Sequence, residues 1–199
     1  MKILALSDIH GDKNFMRKMA QKGFDEKVDL VILAGDLADH RGNVEGLVGP
    51  LKEKGLEVAI LPGNHEGLAE VEFLCEKYKI KNLHGYSFIQ GDVGIFGCGY
   101  ADVGIHQLAD EDFLQTLKKA HKSLGSVKKK VMVTHIQPKD SILSLGIAHW
   151  GSLGVSQAIE ELSPDIHICG HIHETQGIEE MIGKTRVMNV GKSGKIIEI

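Results

Sequence analysis

The chain has 199 residues, 42% hydrophobic and 25% charged, with a formal net charge of −4. This is the make-up of an ordinary folded protein long enough to bury a substantial core, and it reads most simply as one domain, residues 1–199. The acidic balance, with no basic arm or broad basic face, speaks against a protein that grips nucleic acid by charge alone.

Met1–Leu6 is short and is soon interrupted by Asp8, so it does not read as a signal peptide. No apolar run approaches the roughly 18 residues that a membrane helix needs. Cys75, Cys98 and Cys169 are odd in number and lack a CxxC spacing. Together these features lead us to expect a reduced, cytoplasmic protein without a disulfide framework.

In chain order, short aliphatic and β-branched runs predict strands at Ile3–Leu6, Leu30–Ala34, Val58–Leu61, Val93–Phe96, Val131–Thr134 and Ile166–Cys169. Two more follow, Arg186–Val190 and Lys195–Ile199. Helical spacing appears between them. It is carried by Phe15, Met16 and Met19, by Val44, Leu47, Val48 and Leu51, and by Val71, Phe73 and Leu74. Phe113, Leu114 and Leu117 form a fourth set, and Val155, Ala158, Ile159 and Leu162 a fifth. Alternation of strands and helices predicts an α/β fold. The glycine-rich stretch from Tyr86 to Gly104 reads as a hairpin, which makes the sheet mixed. Asn189–Ser193 reads as a second hairpin turn, and the last strand offers an edge for pairing with another copy, so a homo-oligomer is compatible with the sequence.

The polar residues that carry chemistry all follow predicted strands. Asp8 and His10 come after the first, Asp36 after the second, and Asn64 and His65 after the third. His135 follows the fifth, and His171 and His173 the sixth. Open α/β sheets build sites at the carboxyl ends of their strands. Gly35, Gly63 and Gly170 each precede one of these residues, where a permissive backbone allows a sharp exit. In extended backbone, His171 and His173 point the same way and start about 6.6 Å apart. Three or four histidines, two aspartates and an asparagine are too many ligands for one tetrahedral ion. Nitrogen and oxygen donors without thiolate suit Mn²⁺ or Fe²⁺, with Zn²⁺ or Ni²⁺ as substitutes, and a pair of ions would share them sensibly.

The blocks Asp8-Ile9-His10, Gly35-Asp36, Gly63-Asn64-His65-Glu66, His135 and Gly170-His171-Ile172-His173 resemble those of the calcineurin-like metallophosphoesterase superfamily. The resemblance implies two packed mixed β-sheets flanked by helices, a four-layer αββα sandwich. It also implies a dinuclear site, with Asp8, His10 and His173 on one ion, Asn64, His135 and His171 on the other, and Asp36 bridging. His65 would face the substrate as a general acid. The stretch Gly35–Gly42 is similar to a block of the protein serine/threonine phosphatases, which implies that Asp39 orients His65 and that Arg41 binds phosphate. Pro62 stands where those enzymes carry an arginine, so their protein substrates are not carried over.

The implied reaction is hydrolysis of a small or exposed phosphoester, a diester before a monoester, by in-line attack of hydroxide generated at the metal pair. A phosphomonoesterase or a nuclease with the same site is the alternative, and a non-catalytic scaffold of the same fold a more distant one. Trp150 and His149, ahead of the last histidine pair, are candidates for the pocket wall, the indole as a stacking face for a base. His84, His106, His121 and His167 stand in no motif and read as structural or exposed.

Overall fold

A computed structural model describes residues 1–144 and 150–199. The first half runs β1 (Lys2–Leu6), α1 (Lys13–Asp25), β2 (Leu30–Ala34), α2 (Gly49–Glu53), β3 (Val58–Leu61), α3 (Leu68–Tyr78) and β4 (Lys81–Asn82). The second half runs β5 (Ser87–Gln90), β6 (Val93–Cys98), α4 (Asp110–Lys122), β7 (Lys129–Thr134), α5 (Leu153–Leu162), β8 (Ile166–Cys169), β9 (Glu179–Ile182), β10 (Thr185–Asn189) and β11 (Lys195–Glu198).

These strands form a five-stranded sheet, β11-β1-β2-β3-β4, and a six-stranded sheet, β5-β6-β7-β8-β10-β9. Side-chain alternation explains why both sheets are covered on both faces. Ile3, Ala5, Leu30 and Ile32 point inward and meet Ile95, Val131, Val133 and Ile168 of the other sheet. Leu4, Leu6, Val31 and Leu33 point outward against α1 and α3. On the far side Phe96, Met132 and Cys169 pack under α4 and α5. The expected four-layer sandwich of two mixed sheets is therefore present. Among the described residues no helix is long and apolar enough to cross a membrane.

Topology positions the site. The strands β1, β2 and β3 are mutually parallel, and so are β6, β7 and β8, so the exits of each set share one edge. Backbone pairing continues past the strand ends: the Asp8 amide donates to the Gly35 carbonyl at 3.1 Å and the Gly170 amide to the His135 carbonyl at 2.8 Å.

Three expectations are corrected, and two strands are added. The helix read across Val44–Leu51 shrinks to Gly49–Glu53, because Gly46 sits at φ +75° and Pro50 lacks an amide to donate back into a longer helix. Phe73 is exposed, since the buried stripe of α3 runs through Val71 and Leu74; the Lys77 ammonium covers the phenyl ring at 5.4 Å. Asn189–Ser193 is no hairpin. A short turn at Gly191–Ser193 carries the chain from β10 of one sheet to β11 of the other. The edge strands β4 and β9 escaped notice because two polar residues, or a Glu-Glu-Met-Ile stretch, form no aliphatic run.

His167 is wholly buried on the outer face of β8, with Nε2 2.7 Å from the Thr134 hydroxyl. Burial holds its pKa down to about 3, so the folded state keeps it neutral. The unfolded chain takes up that proton near pH 6.5. Stability contributed by neutral His167 is thus complete above about pH 6.5 and is lost as the pH falls toward 3, by up to roughly 1.4 kcal/mol per pH unit. Urea unfolding at pH 7, 6 and 5 should show His167→Leu with a shallower acid loss than wild type.

Candidate metal centre

The residues that follow β1, β2, β3, β7 and β8 meet at one place. Asp8 and His10 leave β1, Asp36 leaves β2, Asn64 and His65 leave β3, His135 leaves β7, and His171 and His173 leave β8. Three groups of donor atoms arise, each with all members within 4.8 Å of one another: Asp8 with His10 and His173, Asp36 with His135 and His171, and His10 with Asp36 and His65. Asn64 joins the second group through its Oδ1, 3.2 Å from His135 Nε2. All seven expected ligands and His65 are therefore brought together.

Asp36 is the hub. Its Oδ2 lies 3.3 Å from His135 Nε2, 3.8 Å from His65 Nε2 and 3.9 Å from His10 Nε2. Its Oδ1 accepts the His65 amide at 3.0 Å. Asp8 accepts the His171 amide at 3.1 Å through Oδ2 and lies 3.5 Å from His173 Nε2 through Oδ1.

The backbone is strained where these groups attach. Asp8, His10, Asp36 and His171 have φ of 57°, 48°, 52° and 71°, the left-handed region that costs a non-glycine residue about 1–3 kcal/mol. His171 and His173 consequently do not share one extended face. Strand β8 stops at Cys169, His171 turns left-handed into the group with His135, and His173 opens a short 3₁₀ turn into the group with Asp8.

The preceding glycines serve mainly close approach. A Cβ on Gly63 would collide with Asp36 Oδ1, and one on Gly170 with the Ser7 hydroxyl and Asp8 Oδ2. Gly35 alone of the three also needs its positive φ, +89°.

Electrostatics follow from burial. Burial pushes the Asp36 carboxyl up, but His135 and His65 draw it below the ordinary range. Burial likewise opposes charge on His135, yet Asp36, Asp8 and the Ala34 carbonyl lift it to about 10. Burial drives His171 down to about 4, with His135 adding to the effect. The space between Asp36 and the imidazoles thus favours positive charge. His135 Nδ1 donates to the Ala34 carbonyl at 2.9 Å when it carries the proton, leaving Nε2 to face Asp36 and Asn64. The Nε2 atoms of His10 and His173 face each other at 3.3 Å. Nitrogen and oxygen donors so arranged fit first-row divalent cations.

Glu66 is the residue whose role the sequence did not reveal. It is buried, its Oε1 accepting the Gly63 amide at 2.9 Å and its Oε2 the Ala38 amide at 3.0 Å. Burial, reinforced by Asp36, raises its pKa. The carboxyl therefore clamps the β2 and β3 loops together. Only its position, directly after Gly-Asn-His, hinted at this.

Asp39 does not orient His65. Its Oδ1 is taken by the amides of Arg41 and Asn43, at 2.9 and 3.1 Å, in a local turn, and His65 is held by Asp36 instead. Asp39 and Arg41 do line a cleft of about 420 Å³ together with Asn64, His65 and His106. His40, which interrupts the phosphatase-like block, lines it too, its ring 6.0 Å from His65 and 6.4 Å from His10. His106, read from the sequence as structural or exposed because no motif marks it, is thus part of the cleft wall. Trp150 lines a second, smaller cavity beside His171; His149 lies outside the described residues.

A two-sheet sandwich with His and Asp donor groups at its strand exits is the architecture of metal-dependent phosphoesterases. The chain belongs to the calcineurin-like phosphoesterases, matching that family over residues 1–175. It is 26% identical over 186 residues to an uncharacterized metallophosphoesterase of Helicobacter pylori, covering 88% of this chain and 45% of that protein. It is 32% identical over 80 residues to a probable cyclic nucleotide phosphodiesterase of Fibrobacter succinogenes, covering 39% of this chain and 31% of that one. The chain thus spans less than half the length of these curated relatives. In fold it is similar to the crystal structure of TT1561 from Thermus thermophilus, with a TM-score of 0.78 at 20% identity, covering 98% of this chain and 97% of that one.

If Glu66 clamps the loops, Glu66→Ala orphans two buried amides at about 1–3 kcal/mol each. A lower Tm and a weaker affinity for added Mn²⁺ in calorimetry are expected. An unchanged affinity in a destabilised variant would show that the clamp serves the fold and not the centre.

Proposed function

We propose that the chain hydrolyses a phosphoester at a pair of divalent cations, with a phosphodiester as the preferred substrate. Asp8, His10 and His173 would hold one ion, Asn64, His135 and His171 the other, with Asp36 between them. The observation that carries the reading is the position of Asp36: one carboxylate oxygen stands within 3.9 Å of three imidazole nitrogens, between two separate donor groups. Manganese is the ion we favour, because the donors are nitrogen and oxygen without thiolate.

When bound, the ions supply a water of lowered pKa and neutralise charge on the phosphoryl oxygens. The remaining chemistry falls to the chain. His65 is partly exposed and lines the 420 Å³ cleft, so a substrate can reach it while Asp36 holds its backbone and faces its ring. From there His65 protonates the departing oxygen. Arg41, in the same cleft, offers a cation to the phosphate, and the Asn64 side chain can contact it as well.

Two arguments favour a diester. The donor groups are flanked by two concavities, one containing Asn64 and His65 and the other His171, so each substituent of a diester has its own space. The Fibrobacter relative is named as a probable cyclic nucleotide phosphodiesterase. The net charge of −4 gives no help in holding a polynucleotide, so a small substrate fits better.

Two measurements test this. Metal analysis of the protein loaded with Mn²⁺ should find two ions per chain, and His135→Ala should lose about one of them together with most of its turnover; a single ion in wild type refutes the dinuclear reading. His65→Ala should retain its metal but lose roughly 10²- to 10⁴-fold in kcat on an alkyl phosphodiester, and much less on a p-nitrophenyl ester, whose leaving group needs no proton. Equal losses on both would remove the acid role from His65.

A further inference from the structure

The smaller cavity beside the centre has a volume of about 160 Å³ and is lined by Asp102, Val103, Gln137, Trp150, Gly151, His171 and Ile172. One wall residue carries an unmatched amide that is closed off from water, so it meets a ligand by turning its side chain into the cavity. Gln137 is fully buried, and neither its side-chain oxygen nor its nitrogen has a hydrogen-bond partner among the described residues. Native interiors seldom tolerate this, because an unmatched buried amide forfeits the bonds it made to water. Its backbone is well held, with the Gln137 carbonyl accepting the Ser152 amide at 3.1 Å. The side chain alone lacks its complement.

We propose that Gln137 and Trp150, with Asp102, form a subsite for one substituent of the phosphoester, a flat ring of nucleobase type. The inference rests on reading the adjoining centre as a phosphoester hydrolase. Three features select that chemistry. A carboxamide presents an acceptor and a donor side by side in one plane, and a nucleobase edge presents the matching donor and acceptor in one plane. Trp150, 36% exposed, offers the aromatic wall on which a flat ring stacks. At about 160 Å³ the cavity is less than half the size of the neighbouring cleft, a space suited to a ring and not to a whole nucleotide. The sugar and phosphate therefore stay outside, which brings the phosphate toward His171 and the donor groups. Asp102 adds an acceptor for a ring N–H.

The chain has one tryptophan, so the fluorescence of Trp150 reports on this cavity alone. We would titrate the full chain, at fixed Mg²⁺, with AMP, GMP, CMP and UMP, and with ribose-5-phosphate as the probe that lacks a base. At least one nucleotide should quench Trp150 saturably and bind roughly tenfold more tightly than ribose-5-phosphate. Gln137→Met keeps the length and removes the polar edge. It should cut that preference at least about fivefold, the lower end of what an unmatched buried polar partner costs, while Tm stays level or rises. A purely structural Gln137 would instead lower Tm and leave the preference intact.

If Gln137→Met does not fold, Trp150→Leu read by calorimetry carries the same test. The subsite is overturned if no nucleotide outbinds ribose-5-phosphate, or if the preference survives both substitutions. Its failure is distinct from failure of the hydrolase reading. Turnover of phosphodiesters without base preference sinks the subsite alone. Base-dependent quenching with no phosphoester turned over sinks the hydrolase reading alone.

Discussion

Burial of negative charge is the constraint on which the rest of the molecule depends. Asp8, Asp36 and Glu66 are all nearly inaccessible and sit within one cluster of loops. Desolvation pushes all three carboxyl groups up, and the nearby Asp36 pushes Asp8 and Glu66 up further. Each is compensated differently. Glu66 takes two backbone amides, Asp8 takes the His171 amide and faces His173, and Asp36 takes the His65 amide and faces three imidazoles. The two amides occupy both oxygens of Glu66 yet leave its pKa raised, whereas His135 and His65 draw the Asp36 carboxyl below the ordinary range. A cation that bound only the folded chain would stabilise it further.

The two sheets make this arrangement tolerable by splitting the labour. Parallel strands in each sheet bring distant segments to one edge, and the backbone bonds that continue past the strand ends fix the loops in register. Four left-handed non-glycine residues persist there because those bonds over-determine them. Asn189 extends the same support from behind, its Nδ2 donating to the Ile172 carbonyl at 2.7 Å and so steadying the segment between His171 and His173. The cores on either side are ordinary and can absorb the strain.

Much of this was legible in the sequence because it obeys short-range rules. Continuous aliphatic and β-branched runs located the central strands, and a ligand directly after most of them implied a shared edge. What escaped was non-local. Whether Asn189–Ser193 turns back within a sheet or crosses to the other depends on which neighbour each strand chooses, and no local pattern encodes that choice. Asp39 was misread because an aspartate in a motif can serve a neighbouring side chain or its own turn, and here two nearby amides claim it. Glu66 was seen but given no role, since its partners, Gly63 and Ala38, come from two different loops. Gln137 carries no motif at all; its meaning lies in what it fails to touch.

The positions around the donor groups fall into two mechanical classes. Glu66, Asn189 and Ser7 tie the loops to the sheets, and changes there must disturb the donor groups, because their bonds run directly into the backbone that carries the ligands. Those around Arg41, His106, Asp102 and Trp150 sit on loops that make few bonds to the ligand segments. They can therefore alter what the clefts admit without moving Asp36. A centre locked by sheet ends, with its clefts walled by separate loops, lets the substrate change while the chemistry stays fixed. In this chain the difference between the clefts gives that freedom a direction: the open 420 Å³ side carries Asp39, Arg41 and several imidazoles, whereas the 160 Å³ side has an indole and an unmatched amide among its wall residues. Discrimination between substrates should come from the smaller side, because only there does a wrong substituent leave a buried polar group unpaired.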